Sequence, residues 1–146
     1  ALTHGKIRLP KSPNSLETIK REHRFDASRF DLYLEGQVSQ DWKGLLEVKG
    51  VTLEEEGLAL FPDAPTLRGV RHLEDLIQAR LQGYACYVVF VIQMKPVRAF
   101  TPHHQRHPAF AETLLRAQEA GVHILAYDCI VSPNQLILDQ PVKVLL

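Results

Sequence analysis

The clearest hydrophobic pattern in the chain is an alternation of apolar and polar residues in its first third. SRFDLYLEG (28–36) alternates strictly, which predicts a strand with one buried face. LLEVKGVTL (45–53) is more apolar and predicts the next strand, so residues 28–51 together predict an antiparallel hairpin. LETIKREHRF (16–25) alternates less regularly and is a candidate first strand.

Two later stretches have helical periodicity. Apolar residues recur every three to four positions over 66–82, and Gly83 follows as a suitable helix end. A second helix is predicted to begin at Pro108 and to close at Gly121.

Continuous apolar runs predict the centre of a sheet. YACYVVFVIQ (84–93) is typical of a strand buried on both faces, and VHILAYDCIVS (122–132) predicts another strand. The tail QLILDQPVKVLL (135–146) supplies one or two short edge segments, whereas KSPNS (11–15) and LFPDAPT (60–66) predict loops. The order β, β, β, α, β, α, β predicts an α/β fold with a mixed central β-sheet flanked by helices.

Composition adds little to this picture except in its distribution of charge. The 146 residues are 45% hydrophobic and 23% charged with a net charge of zero, which indicates one ordinary globular domain without a global basic field. Residues 1–29 are nevertheless basic and 53–63 acidic, which suits either an anionic polymer near a bound metal or ordinary solvated charge. Cys86 and Cys129 lie in apolar stretches, which predicts buried, reduced thiols in a cytoplasmic protein, and no apolar run is long enough to predict a membrane span.

Two charged residues inside the apolar run 45–53 point to chemistry. Glu47 and Lys49 are two apart and would lie on one face of the strand, at a desolvation cost that a purely structural strand rarely carries twice. Asp31, on the polar face of the paired strand, would approach them across the hairpin. Two carboxylates and an ammonium suit a Mg²⁺-dependent phosphodiester hydrolase, in which the cation activates water and the lysine stabilises developing charge.

The spacing of these residues, D-x15-E-x-K, matches the PD-(D/E)XK nuclease signature, although no proline precedes Asp31. The signature is short and has little specificity by itself. A charge-paired strand at an exposed end of the sheet is the alternative interpretation.

A longer set of phrases resembles the bacterial and archaeal sugar fermentation stimulation protein family, SfsA. The most distinctive is FPDAPT-x-RG-x-x-HL (61–73), and KREHRF, SRFDLYLE and AGVHILAYDCIVSP are also similar to that family. The resemblance implies that residues 1–146 form a single PD-(D/E)XK, restriction-endonuclease-like domain, the C-terminal part of a longer protein whose N-terminal OB-like domain is absent from this chain. It also implies non-specific DNA binding and a link to the regulation of sugar (maltose) metabolism.

The resemblance assigns roles to individual residues. It implies a catalytic triad of Asp31, Glu47 and Lys49. Asp31 and Glu47 would hold Mg²⁺ or Mn²⁺, with Glu22 as an accessory metal ligand. Nucleic acid would be bound by three further residues: Arg29, Arg68 and His72. Arg68 and His72 are four apart near a predicted helix N-terminus, which favours anions.

Each accessory assignment has a structural alternative. Glu22 and Arg29 would instead pair with each other, and His72 would be a hydrogen-bonded packing residue. Asp63 and Thr66, in the same phrase, are better explained as a turn former and a helix N-cap.

Three features depart from the family pattern or suggest other chemistry. Asp26-Ala27 stands where a glycine-bearing turn is expected, and HHQRHP (103–108) lacks an acid before the second helix. The HHxxH spacing would suit zinc, but histidines in a proline-flanked loop without a neighbouring acid or cysteine are more typical of ordinary loop residues. Trp42, in the predicted hairpin turn, either covers the sheet edge or stacks on a base.

The sequence therefore predicts a cytoplasmic DNA-binding protein with a Mg²⁺- or Mn²⁺-dependent phosphodiesterase (nuclease) site. The alternative is a non-catalytic regulator of sugar metabolism that binds DNA without sequence preference and in a salt-sensitive way. A metabolic enzyme that acts on sugars is a third possibility, for which the sequence offers no sugar-specific residues.

Overall fold

A computed structural model describes residues 9–13, 16–25, 28–37 and 41–146 of the chain. Its helices and strands follow one another in the order β1 (Leu16–Phe25), β2 (Ser28–Gln37), β3 (Asp41–Val51), β4 (Leu53–Glu55), β5 (Leu58–Phe61), α1 (Leu67–Leu81), β6 (Ala85–Ile92), β7 (Ala99–Pro102), α2 (Pro108–Ala120), β8 (His123–Ser132) and β9 (Gln135–Pro141). The predicted mixed α/β architecture is confirmed, and the first strand has the predicted bounds.

The main sheet has six strands in the order β1-β2-β3-β6-β8-β9. The predicted hairpin is confirmed, since β2 and β3 are antiparallel, while β3, β6 and β8 run parallel to one another. The tail forms β9, which pairs with β8 at the far edge. Strand β3 therefore lies inside the sheet, between the antiparallel β2 and the parallel β6.

Both helices pack on the same face of this sheet. The main hydrophobic core joins Leu73 and Leu76 of α1 and Phe110 of α2 to alternate sheet residues that include Leu45 and Val88. Their neighbours in sequence point the other way because side chains alternate along a strand. That second cluster contains Leu9, Leu34, Leu46, Tyr87 and Val89.

A second sheet of three short strands, β4-β5-β7, was missed by the sequence analysis. The prediction of a loop for 60–66 was wrong for Leu60 and Phe61, which belong to β5. Strands of three or four residues are too short to display a periodic pattern. The local signal was the turn between β4 and β5, where Glu56 and Gly57 both have positive φ (52° and 85°), as a tight hairpin turn requires.

The helix ends follow the predicted chemistry. The side chain of Thr66 accepts a hydrogen bond from the Gly69 amide and caps α1, as expected for an N-cap residue. Helix α2 begins at Pro108 and ends at Gly121, which has the left-handed backbone conformation of a C-cap glycine.

Cys86 and Cys129 are free and buried, as predicted. In the part of the chain that is described, no helix is long and apolar enough to cross a membrane.

Trp42 lies within β3 and not in the hairpin turn, because the strand begins at Asp41, four residues earlier than predicted. Its ring covers Gly44, where an added Cβ would lie 2.6 Å from Cη2 of the indole. Trp42 also packs with the second hydrophobic cluster beside Tyr87. A glycine at position 44 thus allows the indole to lie flat against the strand that carries Glu47 and Lys49.

We predict that Gly44→Ala destabilises the protein by about 1–3 kcal/mol, because the new methyl group overlaps a packed aromatic ring. Urea unfolding would measure the change. Gly50→Ala on the same strand is the matched control, since its Cβ would meet only the side-chain amide of Gln93. Equal stability of the two variants would contradict this account of Gly44.

Candidate active site

The site begins where β2 and β3 separate. Their ladder ends with the pair Leu32↔Leu46, and one residue further along the strands the Asp31 and Glu47 side chains meet. The Val48 amide donates to Asp31 Oδ2 at 2.7 Å. An aspartate side chain therefore takes the place of a backbone acceptor, and the carboxylate is fixed at the point of separation.

Glu47 is the buried centre of the site, with only 3% of its surface exposed. Its Oε2 lies 2.9 Å from Lys49 Nζ and 2.5 Å from His72 Nδ1. Lys49 Nζ and His72 Nδ1 are themselves 3.3 Å apart. The structure thus brings together the three residues of the predicted triad and adds His72 from α1.

These neighbours keep Glu47 ionised. Burial alone would raise the pKa of Glu47, but the hydrogen bond from His72 and the charge of Lys49 outweigh burial. The pKa of Glu47 is consequently lowered from 4.5 to about 2. The group is a carboxylate throughout the neutral pH range.

The pKa of Asp31 is shifted in the opposite direction, although the residue as a whole is exposed to solvent. Partial desolvation of its carboxyl group and the hydrogen bond with Glu47 raise its pKa from 3.8 to about 6, against the effect of the Val48 amide. Two adjacent carboxylates repel each other when both are ionised, so one proton shared between them is favourable. Below its pKa of about 6, Asp31 carries that proton.

His72 reaches the site because α1 is tied to the sheet. The helix is capped by Thr66, and three residues beyond His72 its Asp75 accepts a hydrogen bond from the buried Ser28 hydroxyl at the start of β2. The imidazole also lies edge-on to the Phe30 ring, 6.0 Å between centroids. These contacts hold His72 against the same strands that carry Asp31 and Glu47.

The environments of His72 and Arg68 differ. His72 is buried and contacts a protein carboxylate, whereas Arg68, one turn earlier, is exposed. The alternative of a hydrogen-bonded histidine describes its contacts better. Sequence reasoning missed its link to Glu47 because no local pattern relates residues 25 positions apart.

The other predicted residues lie on the exposed surface around this cluster. Glu22 falls between the ladder pairs Arg21↔Leu32 and His23↔Phe30, with a positive φ of 54° that interrupts regular strand geometry. Arg29 is exposed, two residues before Asp31, and pairs across the ladder with Arg24. Glu22 and Arg29 therefore lie on neighbouring strands, with Arg24 directly opposite Arg29.

Two of the three histidines of 103–108 have structural contacts. His103 Nδ1 accepts from the Arg106 amide, and His107 Nδ1 accepts from the Thr66 amide, each at 3.2 Å. Asp63 contributes its backbone carbonyl to the Arg106 side chain, which links the two loops that precede the helices. Across residues 9–13, 16–25, 28–37 and 41–146, no three His, Cys, Asp or Glu side chains are grouped so as to enclose a metal ion.

Comparisons with known proteins agree with this architecture. Residues 1–135 match the family described as "Sugar fermentation stimulation protein RE domain". The chain is 54% identical over 121 residues to the sugar fermentation stimulation protein homolog of Desulfitobacterium hafniense, covering 83% of this chain and 52% of the relative. It is 48% identical over 126 residues to the homolog of Clostridium botulinum, covering 86% and 54%. The chain thus spans about half the length of these curated relatives.

A solved structure is similar as well. It is described as Pyrococcus furiosus SfsA in complex with Ca²⁺, and it superposes with a TM-score of 0.82 at 32% identity, covering 91% of this chain and 57% of that one. Sequence and structure therefore agree that the chain belongs to the sugar fermentation stimulation protein family, SfsA.

Proposed function

We propose that this domain binds DNA and hydrolyses phosphodiester bonds with the help of one Mg²⁺ or Mn²⁺ ion held by Asp31 and Glu47. The observation that carries the proposal is the convergence of two carboxylates and Lys49 where β2 and β3 separate. This is the arrangement that the PD-(D/E)XK signature requires of its three residues.

The donor set fits a hard divalent cation. Two adjacent carboxylates that share a proton form a site where positive charge is favourable, and a cation would replace that proton. Mg²⁺ is commonly held by one or two carboxylates and keeps several water ligands, so a third protein ligand is not needed. The description of the P. furiosus relative as a complex with Ca²⁺, which also prefers oxygen ligands, is consistent with this proposal.

The bound cation and Lys49 would have different roles in the reaction. A bound cation supplies Lewis acidity and lowers the pKa of its water. Lys49 is close enough to Glu47 to orient the attacking water, and its ammonium would offset the charge that develops on the phosphate. Water adds to phosphorus as one ester P–O bond breaks, and the departing oxygen takes up a proton.

Two exposed arginines, one on β2 and one on α1, would hold the nucleic-acid backbone. Arg29 lies two residues from Asp31, and Arg68 lies one helical turn from His72. Phosphate contacts of this kind give affinity without sequence preference. The zero net charge of the chain means that such binding would rest on this local group of arginines.

We predict that Asp31→Asn stabilises the cation-free protein at pH 8 by about 1 kcal/mol, after allowance for solvent screening. The pKa of Asp31 is higher in the folded state, about 6, than the reference value of 3.8, so stability falls as pH rises through this window. An amide at this position would still accept from Val48 and donate to Glu47. In EDTA, the melting temperature of Asp31→Asn should therefore exceed that of the wild-type protein at pH 8, and the two should be equal at pH 4.

In CaCl₂ at pH 8 the order of stability should be reversed, so that the wild-type protein becomes more stable than Asp31→Asn. The wild-type protein should gain stability because the cation relieves the repulsion between its carboxylates, and D31N should not. Equal calcium-induced shifts of the melting temperature in both proteins would place the cation elsewhere.

We predict that Lys49→Met lowers the rate of DNA cleavage in Mn²⁺ by about 10²–10³-fold, with DNA affinity nearly unchanged. Lys43→Met removes an exposed lysine from the same strand and is the matched control. Gel assays on linear and supercoiled DNA would measure cleavage. Wild-type protein that binds DNA but cleaves none of it in Mg²⁺ or Mn²⁺ would exclude the nuclease and favour the non-catalytic regulator.

We predict that the double variant Arg29→Ser/Arg68→Ser weakens binding to unrelated duplex sequences equally. The slope of log K against log salt should fall in magnitude by about 2, because each arginine that neutralises a phosphate contributes close to one unit. Arg98→Ser/Lys143→Ser removes two charges from the region of the small sheet and should leave the slope unchanged. Similar slopes for the two double variants would argue against this surface.

A further inference from the structure

Glu47 receives two donors on a single oxygen atom. Both the Lys49 ammonium and the His72 ring nitrogen are directed at Oε2, at 2.9 Å and 2.5 Å. Since an ionised carboxylate only accepts hydrogen bonds, His72 must carry its proton on Nδ1 to make this contact. Two donors therefore hold Oε2 in position: Lys49 from the same strand and His72 from α1.

The two donors differ in mobility. Lys49 is attached through a flexible four-carbon stem, and 15% of its side chain is exposed. The His72 side chain is 7% exposed, has two rotatable bonds and belongs to a helix held by the Thr66 cap and by Asp75. Of the two, His72 is the fixed contact.

The Lys49 ammonium cannot keep its full contact with Glu47 while it also contacts a bound substrate. An ammonium that orients the attacking water or contacts a phosphate must give up part of its contact with Oε2. If His72 did not also donate to it, the buried Glu47 carboxylate would be weakly satisfied at that moment, which is costly and favours its rotation away. Glu47 would then leave its place beside Asp31.

We propose that His72 is a positioning residue: its Nδ1–H holds Glu47 Oε2 from α1, so that Glu47 stays beside Asp31 when Lys49 leaves it for a bound substrate. This inference rests on the proposed cation site and adds to it a residue outside the PD-(D/E)XK signature. It assigns His72 no contact with the nucleic acid and no exchange of protons with it.

The test uses side chains that place a donor at different positions of the imidazole ring. The amide nitrogen of asparagine lies close to the position of Nδ1, whereas that of glutamine lies closer to Nε2. Calcium binding to the otherwise intact chain would be measured by titration calorimetry. We expect His72→Gln and His72→Leu to weaken Ca²⁺ binding by about tenfold or more, as is usual for groups that orient metal ligands. His72→Asn should remain within a few-fold of the wild-type protein.

A second arm tests whether Lys49 and His72 both hold Glu47 Oε2. In a Lys49→Met background, His72→Leu should weaken Ca²⁺ binding by a larger factor than it does alone, because His72 is then the remaining donor to Oε2. A merely structural histidine would give equal factors in both backgrounds. Amide spectra would confirm that each variant is folded.

A third arm needs no cation and separates the two proposals. Imidazole ¹⁵N spectra of the EDTA-treated protein should show His72 protonated at Nδ1 in both the wild type and Lys49→Met. A wild-type protein that binds none of Ca²⁺, Mg²⁺ or Mn²⁺ would overturn the proposed function, while these spectra would still decide the His72 contact. The inference fails if the Nδ1 proton is absent, if it disappears in Lys49→Met, or if all three His72 variants bind Ca²⁺ as tightly as the wild type.

Discussion

The site depends on one buried carboxylate, that of Glu47. A charge in this position is tolerated only because Lys49 and His72 both meet its oxygen, and together they outweigh the cost of burial. Partial desolvation of Asp31 and its hydrogen bond with this carboxylate raise the pKa of Asp31 to about 6. In the proposed function, a divalent cation takes the place of the proton that Asp31 and Glu47 share.

The surrounding fold serves to hold this arrangement in place. Strand β3 lies between an antiparallel and a parallel neighbour; at Glu47 its backbone still pairs with Val88 of β6, whereas the ladder with β2 has ended one residue earlier, at Leu46. Strand β2 separates from β3 at the level of Asp31, and the freed Val48 amide is satisfied by the aspartate itself. Helix α1 covers the same face and delivers His72. The hairpin strands β2 and β3 and the more distant helix α1 therefore determine together the position of one side chain.

Much of this could be predicted from the sequence because it depends on local periodicity. Alternation along 28–36 and 45–53 predicted the hairpin and placed Glu47 and Lys49 on one face, and helical spacing with Thr66 and Gly121 predicted both helices. The short strands β4, β5 and β7 could not be predicted, since three or four residues carry no period. The partner of His72, Glu47, could not be predicted either, because the contact arises from the packing of α1 on the sheet and from no pattern around residue 72.

The central claim, that Asp31 and Glu47 together hold a divalent cation, is tested most directly by anomalous X-ray scattering from crystals grown with MnCl₂. The account predicts a manganese peak between the two carboxylates, with His72 still in contact with Glu47 Oε2. A fully occupied manganese site elsewhere, with the Asp31–Glu47 contact intact and no metal beside it, would contradict the account.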